Sequence, residues 1–310
     1  MVDYVKVEKD DRGDKKIDKK PKKNFFSFKV FILVFLGLFI LMSIISSMMY
    51  SIAPKIAVVP INGIITTDGG GDFFSSSTSS RDIARTLLEL KDDNSVKAVV
   101  LDINSPGGSP VASEEISRAI EKLSEKKTVY ALINDAGASG AFWIAVSADV
   151  VYASSMSIVG SIGVTSAGLA FEDFIKNYNI SYRKQTAGEL KDMGSIFREP
   201  SEIEQKKIQD ILDEVHENFI IHIANSRNLS VEEIREISTG EIFLGSRAKN
   251  LKLIDEIGYY PDVINKVKSE YGSNVLIVNY GPEPTLLEIL GINSLFSFNS
   301  NHETNRIMLK

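Results

Sequence analysis

Val96-Lys97-Ala98-Val99-Val100-Leu101-Asp102-Ile103 runs directly into Asn104-Ser105-Pro106-Gly107-Gly108-Ser109. The first part, rich in β-branched and apolar residues, reads as a strand, and the second is turn chemistry. Upstream, Ile83, Leu87, Leu88 and Leu90 recur at helical spacing, preceded by a Gly/Ser-rich loop over Gly69 to Ser80 and a strand at Ile56 to Val59. Downstream comes a helix through Ile116, Ile120 and Leu123, then a strand from Thr128 to Ile133. Strands alternating with helices predict an α/β domain with parallel pairing. In such domains ligands and catalytic groups gather just past the C-terminal ends of strands. Both Asn104 to Ser109 and Asp135 to Gly140 fall there.

Further along, the pattern predicts a strand at Val150 to Ala153, a turn at Gly160 to Gly163, a helix over Phe171 to Tyr178 and a strand over Ile180 to Gln185. Pro200 and Ser201 open a long helix with Ile208, Ile211, Leu212 and Val215 as its apolar stripe. A helix over Tyr260 to Tyr271, a strand over Asn274 to Tyr280 and a tail with an amphipathic Leu286 to Leu290 segment complete the chain.

The 310 residues are 44% hydrophobic and 25% charged, enough for a sizeable core, and the net charge of −6 argues against nucleic acid as a partner. With no cysteine, disulfides, thiolate nucleophiles and Cys-ligated zinc are excluded. The one basic region is N-terminal, where Lys15, Lys16, Lys19, Lys20, Lys22, Lys23 and Lys29 precede an uncharged run from Val30 to Ala53. As a helix that run would reach roughly 36 Å at ~1.5 Å per residue. It would therefore cross a hydrocarbon core, and it is apolar on every face. The positive-inside rule then places the Lys-rich tail in the cytoplasm and everything after the anchor outside. Against a cleaved leader, the apolar run is long and Pro54 is unfavourable after Ser51-Ile52-Ala53. The expected divisions are a cytoplasmic tail (1–28), a transmembrane anchor (29–53), a catalytic domain (54–280) and a C-terminal tail (281–310).

His216, His222 and His302 are the only histidines, and none lies in a glycine-containing loop near a candidate nucleophile. The first two share a predicted helix at a spacing that does not place them on one face, so neither a zinc site nor a Ser-His-Asp triad is favoured. Asp135-Ala136-Gly137-Ala138-Ser139-Gly140-Ala141-Phe142-Trp143 puts a serine between small residues at a strand-to-helix turn. There a hydroxyl can be exposed beside the positive end of a helix dipole, as an acyl-transfer nucleophile requires; equally, it can be a helix N-cap. The adjacent Gly107 and Gly108 allow main-chain N–H groups to face a bound oxygen, Gly108 pairing with Gly140 as an oxyanion hole, although Pro-Gly-Gly also makes ordinary turns. Without histidine, the base of choice is a lysine kept neutral by burial. Lys191, bracketed by Gly188 and Gly194, is the best candidate, and the competing reading is a solvated surface lysine.

These motifs resemble, in order and spacing, the signal peptide peptidase A family of bacterial membrane-bound serine proteases in its short single-domain form. The likeness covers nearly all of Lys55 to Tyr271. It rests on Asn104 to Gly108, Ala138 to Gly140, Gly160-Ser161-Ile162-Gly163-Val164, Lys191-Asp192-Met193-Gly194, Gly240 to Ala248 and Leu253 to Gly258. The resemblance implies a Clp-protease/crotonase-like α/β domain of repeated β-β-α units, preceded by one N-terminal transmembrane helix. It implies Ser139 as nucleophile, Lys191 as general base and Ser161 orienting the lysine amine. Gly108 and Gly140 would be oxyanion donors, with Gly107 shaping the hole, and no cofactor or metal is called for. It further implies a homo-oligomeric ring in a bacterial cytoplasmic membrane, acting on remnant signal peptides and other small or unfolded polypeptides. Where the family more often has a second glycine and aromatics after the nucleophile, this chain has Gly140-Ala141-Phe142-Trp143, which is expected to alter pocket shape.

Two rival readings remain at this point. A crotonase-like acyl-thioester enzyme would share the fold and the paired N–H hole, but an outward-facing domain does not meet coenzyme A esters. An inactive membrane-anchored peptide-binding scaffold is the other, and retention of Ser139, Ser161 and Lys191 together argues against it.

Overall fold

The computed structural model describes residues 7–9, 15–17, 25–69 and 77–281, with side chains over 30–44, 53–69 and 77–281. The chain forms two compact units, Met1–Ala53 and Pro54–Lys310. In the first, strands β1 (Val7–Lys9) and β2 (Lys15–Ile17) pair antiparallel and are followed by helix α1 (Phe25–Ile52). Every described side chain of α1, from residue 30 to 44, is exposed. No helix among the described residues is long and apolar enough to cross a membrane.

The second unit is built on a mostly parallel sheet. Its strands are β3 (Lys55–Thr66), β4 (Ser77–Ser79), β5 (Val96–Gly108), β6 (Thr128–Ala138), β7 (Val150–Ala153), β8 (Ile158–Gly160), β9 (Ile242–Leu244), β10 (Glu256–Ile257) and β11 (Leu276–Asn279). The main path runs β10-β7-β6-β5-β3-β11, β4 adds to β3 and β8 to β6; only β9, against β8, is antiparallel. The helices are α2 (Ser80–Asp92), α3 (Pro110–Ser124), α4 (Gly140–Val146), α5 (Glu172–Asn177), α6 (Glu202–Arg227), α7 (Val231–Ile237), α8 (Gly245–Asn250) and α9 (Tyr260–Tyr271).

Successive residues of a strand face opposite sides of a sheet, so covering both faces produces two cores. Ala57, Val59, Val99, Leu101, Ala131 and Ile133 join α2, α3, α4 and the C-terminal half of α6 in the larger core. Ile56, Val58, Ala98, Val100, Tyr130 and Leu132 meet Val263 and Val267 of α9 in the smaller one. Helix starts follow capping chemistry: the Ser79 and Ser109 side chains accept from Asp82 and Ala112 N–H groups, and Ser201 with Glu204 closes a capping box on α6.

Four expectations are corrected. The motifs read as loops after strands are extensions of the strands themselves: β5 continues through Gly108 with an irregularity between Ile103 and Ser105, and β6 continues to Ala138. Residues 180–185 form no strand and are exposed, because a pattern suited to pairing makes no ladder without a neighbouring edge. The stripe Ile208, Ile211, Leu212 and Val215 is not buried; α6 buries Phe219, Ile220, Ile223 and Ala224 instead, since its second half is the part that joins the main core, packing on α4 and α7. Within the expected loop at 69–80, Ser77–Ser79 is a strand, while 70–76 lie outside the described residues, as do the C-terminal tail beyond Gly281 with Leu286 to Leu290, and His302.

Candidate active site

Ser139 stands between β6 and α4 with φ 52° and ψ −124°, a backbone conformation that residues with a Cβ avoid. Holding it there costs on the order of 1–3 kcal/mol. The surroundings impose it: the Ser139 N–H donates to the Gly160 carbonyl at 2.8 Å, and the Ser139 carbonyl accepts from the Trp143 N–H of α4 at 3.0 Å. Although Ser139 occupies the N-cap position, its side chain makes no capping hydrogen bond. The hydroxyl is therefore not used in capping the helix, which speaks against the N-cap reading.

The glycines on β5 come to this turn through close packing. Gly107 has φ 105°, and a Cβ there would lie 2.7 Å from the Ala138 carbonyl and 2.8 Å from the Gly140 nitrogen. Its N–H donates to the buried Ser105 hydroxyl at 3.0 Å and so is engaged within its own strand. Gly108 differs. It pairs in register with Ile65 of β3, and it is the following N–H, of Ser109, that donates to the Ile65 carbonyl. In a parallel ladder this leaves the N–H of Gly108 facing away from β3. A Cβ built on Gly140 would lie 3.2 Å from that nitrogen. The Gly140 N–H is the first of the donors that a helix N-terminus leaves without an intrahelical partner. The Gly108 nitrogen of β5 and Gly140, the first residue of α4, thus lie side by side next to Ser139.

Ser139, Gly108, Gly140 and Ser161 line one cleft of about 350 Å³, walled by Trp143, Val215, Phe219 and Val164. Ser161 follows β8 with φ 53°, its N–H bonded to the Glu241 carbonyl at 2.8 Å. No side chain lining the cleft is ionisable. Lys191 is exposed, does not line the cleft, and lies in a series of turns where its N–H donates to the Gly188 carbonyl at 3.2 Å. The structure thus brings together Ser139, Ser161, Gly107, Gly108 and Gly140, and leaves Lys191 outside.

Two residues at the cleft escaped the sequence reading. Ser113 of α3 is fully buried, its hydroxyl donating to the Ser109 carbonyl at 3.0 Å and packing where a Cβ of Gly140 would stand. Its signal was a hydroxyl on the apolar face of α3, one turn before Ile116. Phe219 packs against Trp143 with ring centroids 5.0 Å apart, one turn beyond the stripe assigned to α6. His222 stacks on the other side of Trp143 at 4.5 Å and bonds the Trp143 carbonyl and the Ser147 hydroxyl, both at 3.1 Å. Burial pushes its pKa down, so it sits behind the wall as a neutral ring and does not face Ser139.

Comparison with known proteins identifies the family of the chain. The model of Peptidase family S49 matches residues 121–274. A protein of Methanocaldococcus jannaschii, provisionally named as a protease, is 36% identical over 216 residues, 69% of this chain and 70% of that one. A provisionally named signal peptide peptidase of Enterococcus faecium is 31% identical over 218 residues, 70% of this chain and 63% of that protein. Protease 4 of Haemophilus influenzae is 36% identical over 220 residues, 71% of this chain but 35% of its own length. The chain belongs to this peptidase family, the signal peptide peptidase A family, and the resemblance read from its motifs is borne out.

Proposed function

We propose that the protein is a membrane-anchored serine endopeptidase in which Ser139 attacks the peptide carbonyl, Lys191 serves as general base, and Ser161 orients the lysine amine. The observation that carries this reading is the Ser139 hydroxyl, unused in capping, held on a strained turn beside the adjacent main chain of Gly108 and Gly140. Attack forms the bond from Ser139 Oγ to the carbonyl carbon, the serine proton passes to the base, and the carbonyl oxygen takes its negative charge between the two N–H groups. The protonated base then returns the proton to the departing amine, and water repeats the sequence to free the acid. Because the cleft contributes no ionisable side chain, the base comes from outside it.

Assembly supplies the base. Residues 165–200 expose Leu169, Phe174, Tyr178 and Ile180, and α6 exposes Ile203 and Ile211, an apolar surface suited to a second copy of the chain. In a homo-oligomeric ring, Lys191 of one copy is brought to Ser139 of a neighbour. The wall of Trp143, Val215 and Phe219 suits an apolar substrate side chain. This fits remnant signal peptides and other small or unfolded polypeptides. The run from Val30 to Ala53 anchors the chain with its lysines on the cytoplasmic side of the membrane and the catalytic unit on the outer face. The exposed apolar side chains of α1 support this, since water is a poor solvent for such a surface.

The test is hydrolysis of a panel of fluorogenic peptides by wild type, Ser139→Ala, Lys191→Ala and an equimolar mixture of the two variants after dissociation and reassembly. Both variants are expected to be inactive and the mixture to recover part of the activity. An active Lys191→Ala protein overturns the base assignment. Inactive variants whose mixture stays inactive restrict the dyad to a single copy. A wild type that binds peptides without cutting any of them favours the scaffold reading.

A further inference from the structure

Arg198 uses all five of its guanidinium donors. Nε donates to Asp192 Oδ2 at 2.6 Å and Nη2 to the Asp192 carbonyl at 2.7 Å. The same Nη2 donates to Glu204 Oε1 at 2.5 Å, while Nη1 donates to Glu204 Oε2 at 2.9 Å and to the Glu199 carbonyl at 3.0 Å. Asp192 is the residue next to Lys191, and its carboxylate also accepts from the Tyr182 hydroxyl at 2.7 Å and pairs with Lys184 at 3.0 Å. Glu204 is only 3% exposed and closes the capping box of α6, the helix whose far half is rooted in the main core.

The setting of this hub gives it significance. Between residues 165 and 200 only Ile175 is buried, so apolar packing does little to fix where that segment lies. Arg198 connects the main chain beside Lys191 to a helix that packing does fix. It also occupies the carboxylate nearest to Lys191 in sequence. Among the described residues the Lys191 amine has no hydrogen-bond or ion-pair partner.

We propose that Arg198 is a positioning residue for the general base: by tying both the carboxylate and the carbonyl of Asp192 to Glu204, it sets the place from which Lys191 is presented to Ser139 and keeps the neighbouring carboxylate off the lysine amine. This deepens the dyad reading and rests on it. The task suits arginine in particular, since a planar fork can bridge two carboxylates and two carbonyls at once, whereas a lysine in its place keeps the charge without the geometry.

The experiment uses the full chain and fluorogenic peptides. Arg198→Lys is expected to lower kcat by about 10-fold or more with KM held within about 2-fold, the pattern of a misplaced catalytic group with an intact cleft. Tyr182→Phe and Lys184→Ala each remove one contact to the Asp192 carboxylate but leave its carbonyl and Glu204 tied, and are expected to change kcat by less than about 3-fold. Arg198→Ala removes the bridge from Asp192 to Glu204 altogether and is expected to lower kcat at least as far as Arg198→Lys. Wild-type kcat in Arg198→Lys overturns the inference while leaving the dyad intact; activity in Lys191→Ala overturns the dyad itself. Hydrogen exchange provides a second readout independent of turnover. The amides of 188–195 are expected to exchange faster in Arg198→Lys while β5 and β6 stay protected, and unchanged exchange there overturns the inference.

Discussion

The strands around Ser139 and the segment carrying Lys191 are built on opposite principles. Ile103, Ile133 and Phe142 are completely buried around the serine turn. Segment 165–200 buries Ile175 alone and is held by the polar hub at Arg198. The first region owes its geometry to burial, and can therefore hold Ser139 in a strained conformation. The second owes its geometry to directed hydrogen bonds, which keep a shape without a core but contribute little net stability. The proposed chemistry draws on both regions.

The largest expected effect tests that division from the side of activity. Ser139→Ala, in the rigid region, and Lys191→Ala, in the exposed one, should each lower kcat by about 10⁴-fold or more, since a nucleophile and its base act as a unit. Neither should lower the melting temperature, as read by calorimetry. Stability should split the other way. Phe142→Ala should cost about 3–5 kcal/mol in denaturant unfolding by emptying a packed site. Tyr178→Ala, on the exposed segment, should stay within ~0.5 kcal/mol. A large loss from Tyr178→Ala would mean that the two regions are not divided in this way.

A third substitution sharpens the role of close packing. A Cβ on Gly108 runs into the Ile65 carbonyl of β3. Gly108→Ala should therefore displace one oxyanion donor and lower kcat by about 10²–10³-fold. The Gly168→Ala variant, whose added Cβ meets nothing within 4 Å, should change kcat less.

The smallest effect is acid release of the exposed segment. Hydrogen bonds from Arg198 hold the Glu204 carboxyl down at about 2 and hold Asp192 well below the usual carboxylate range. Carboxylates with a depressed folded pKa stabilise the fold fully above their free value of ~4.3 and lose that contribution as pH falls toward the folded value. Pepsin should therefore begin to cut within 165–200 between about pH 4 and pH 2, before cutting β5 or β6. Equal rates of cutting in both regions would show that the hub does not hold the segment.

Much of the site was legible because its residues are unusual in local context. Ser139 between small residues, the paired glycines after an apolar strand and the missing histidine partner are all sequence properties, and they led to a serine nucleophile without a triad. The same reading overextended where a local pattern needs a distant partner. Ile180 to Gln185 has the composition of a strand, yet no sheet edge reaches it. Ile208 to Val215 has the spacing of a core stripe, yet lies beyond the edge of the core.

The amino-acid sequence by itself determined the α/β class, the order of the motifs and the family, because these depend on residue type and spacing along the chain. Tertiary structure decided that β5 extends through the paired glycines and β6 to Ala138, which brings Gly108 beside Gly140. It also decided that the Ser139 hydroxyl is not a cap, and that Lys191 stands outside the cleft on a segment anchored through Arg198. Those outcomes depend on which strand lies beside which and on what surrounds each polar group, and no pattern local to the chain records either.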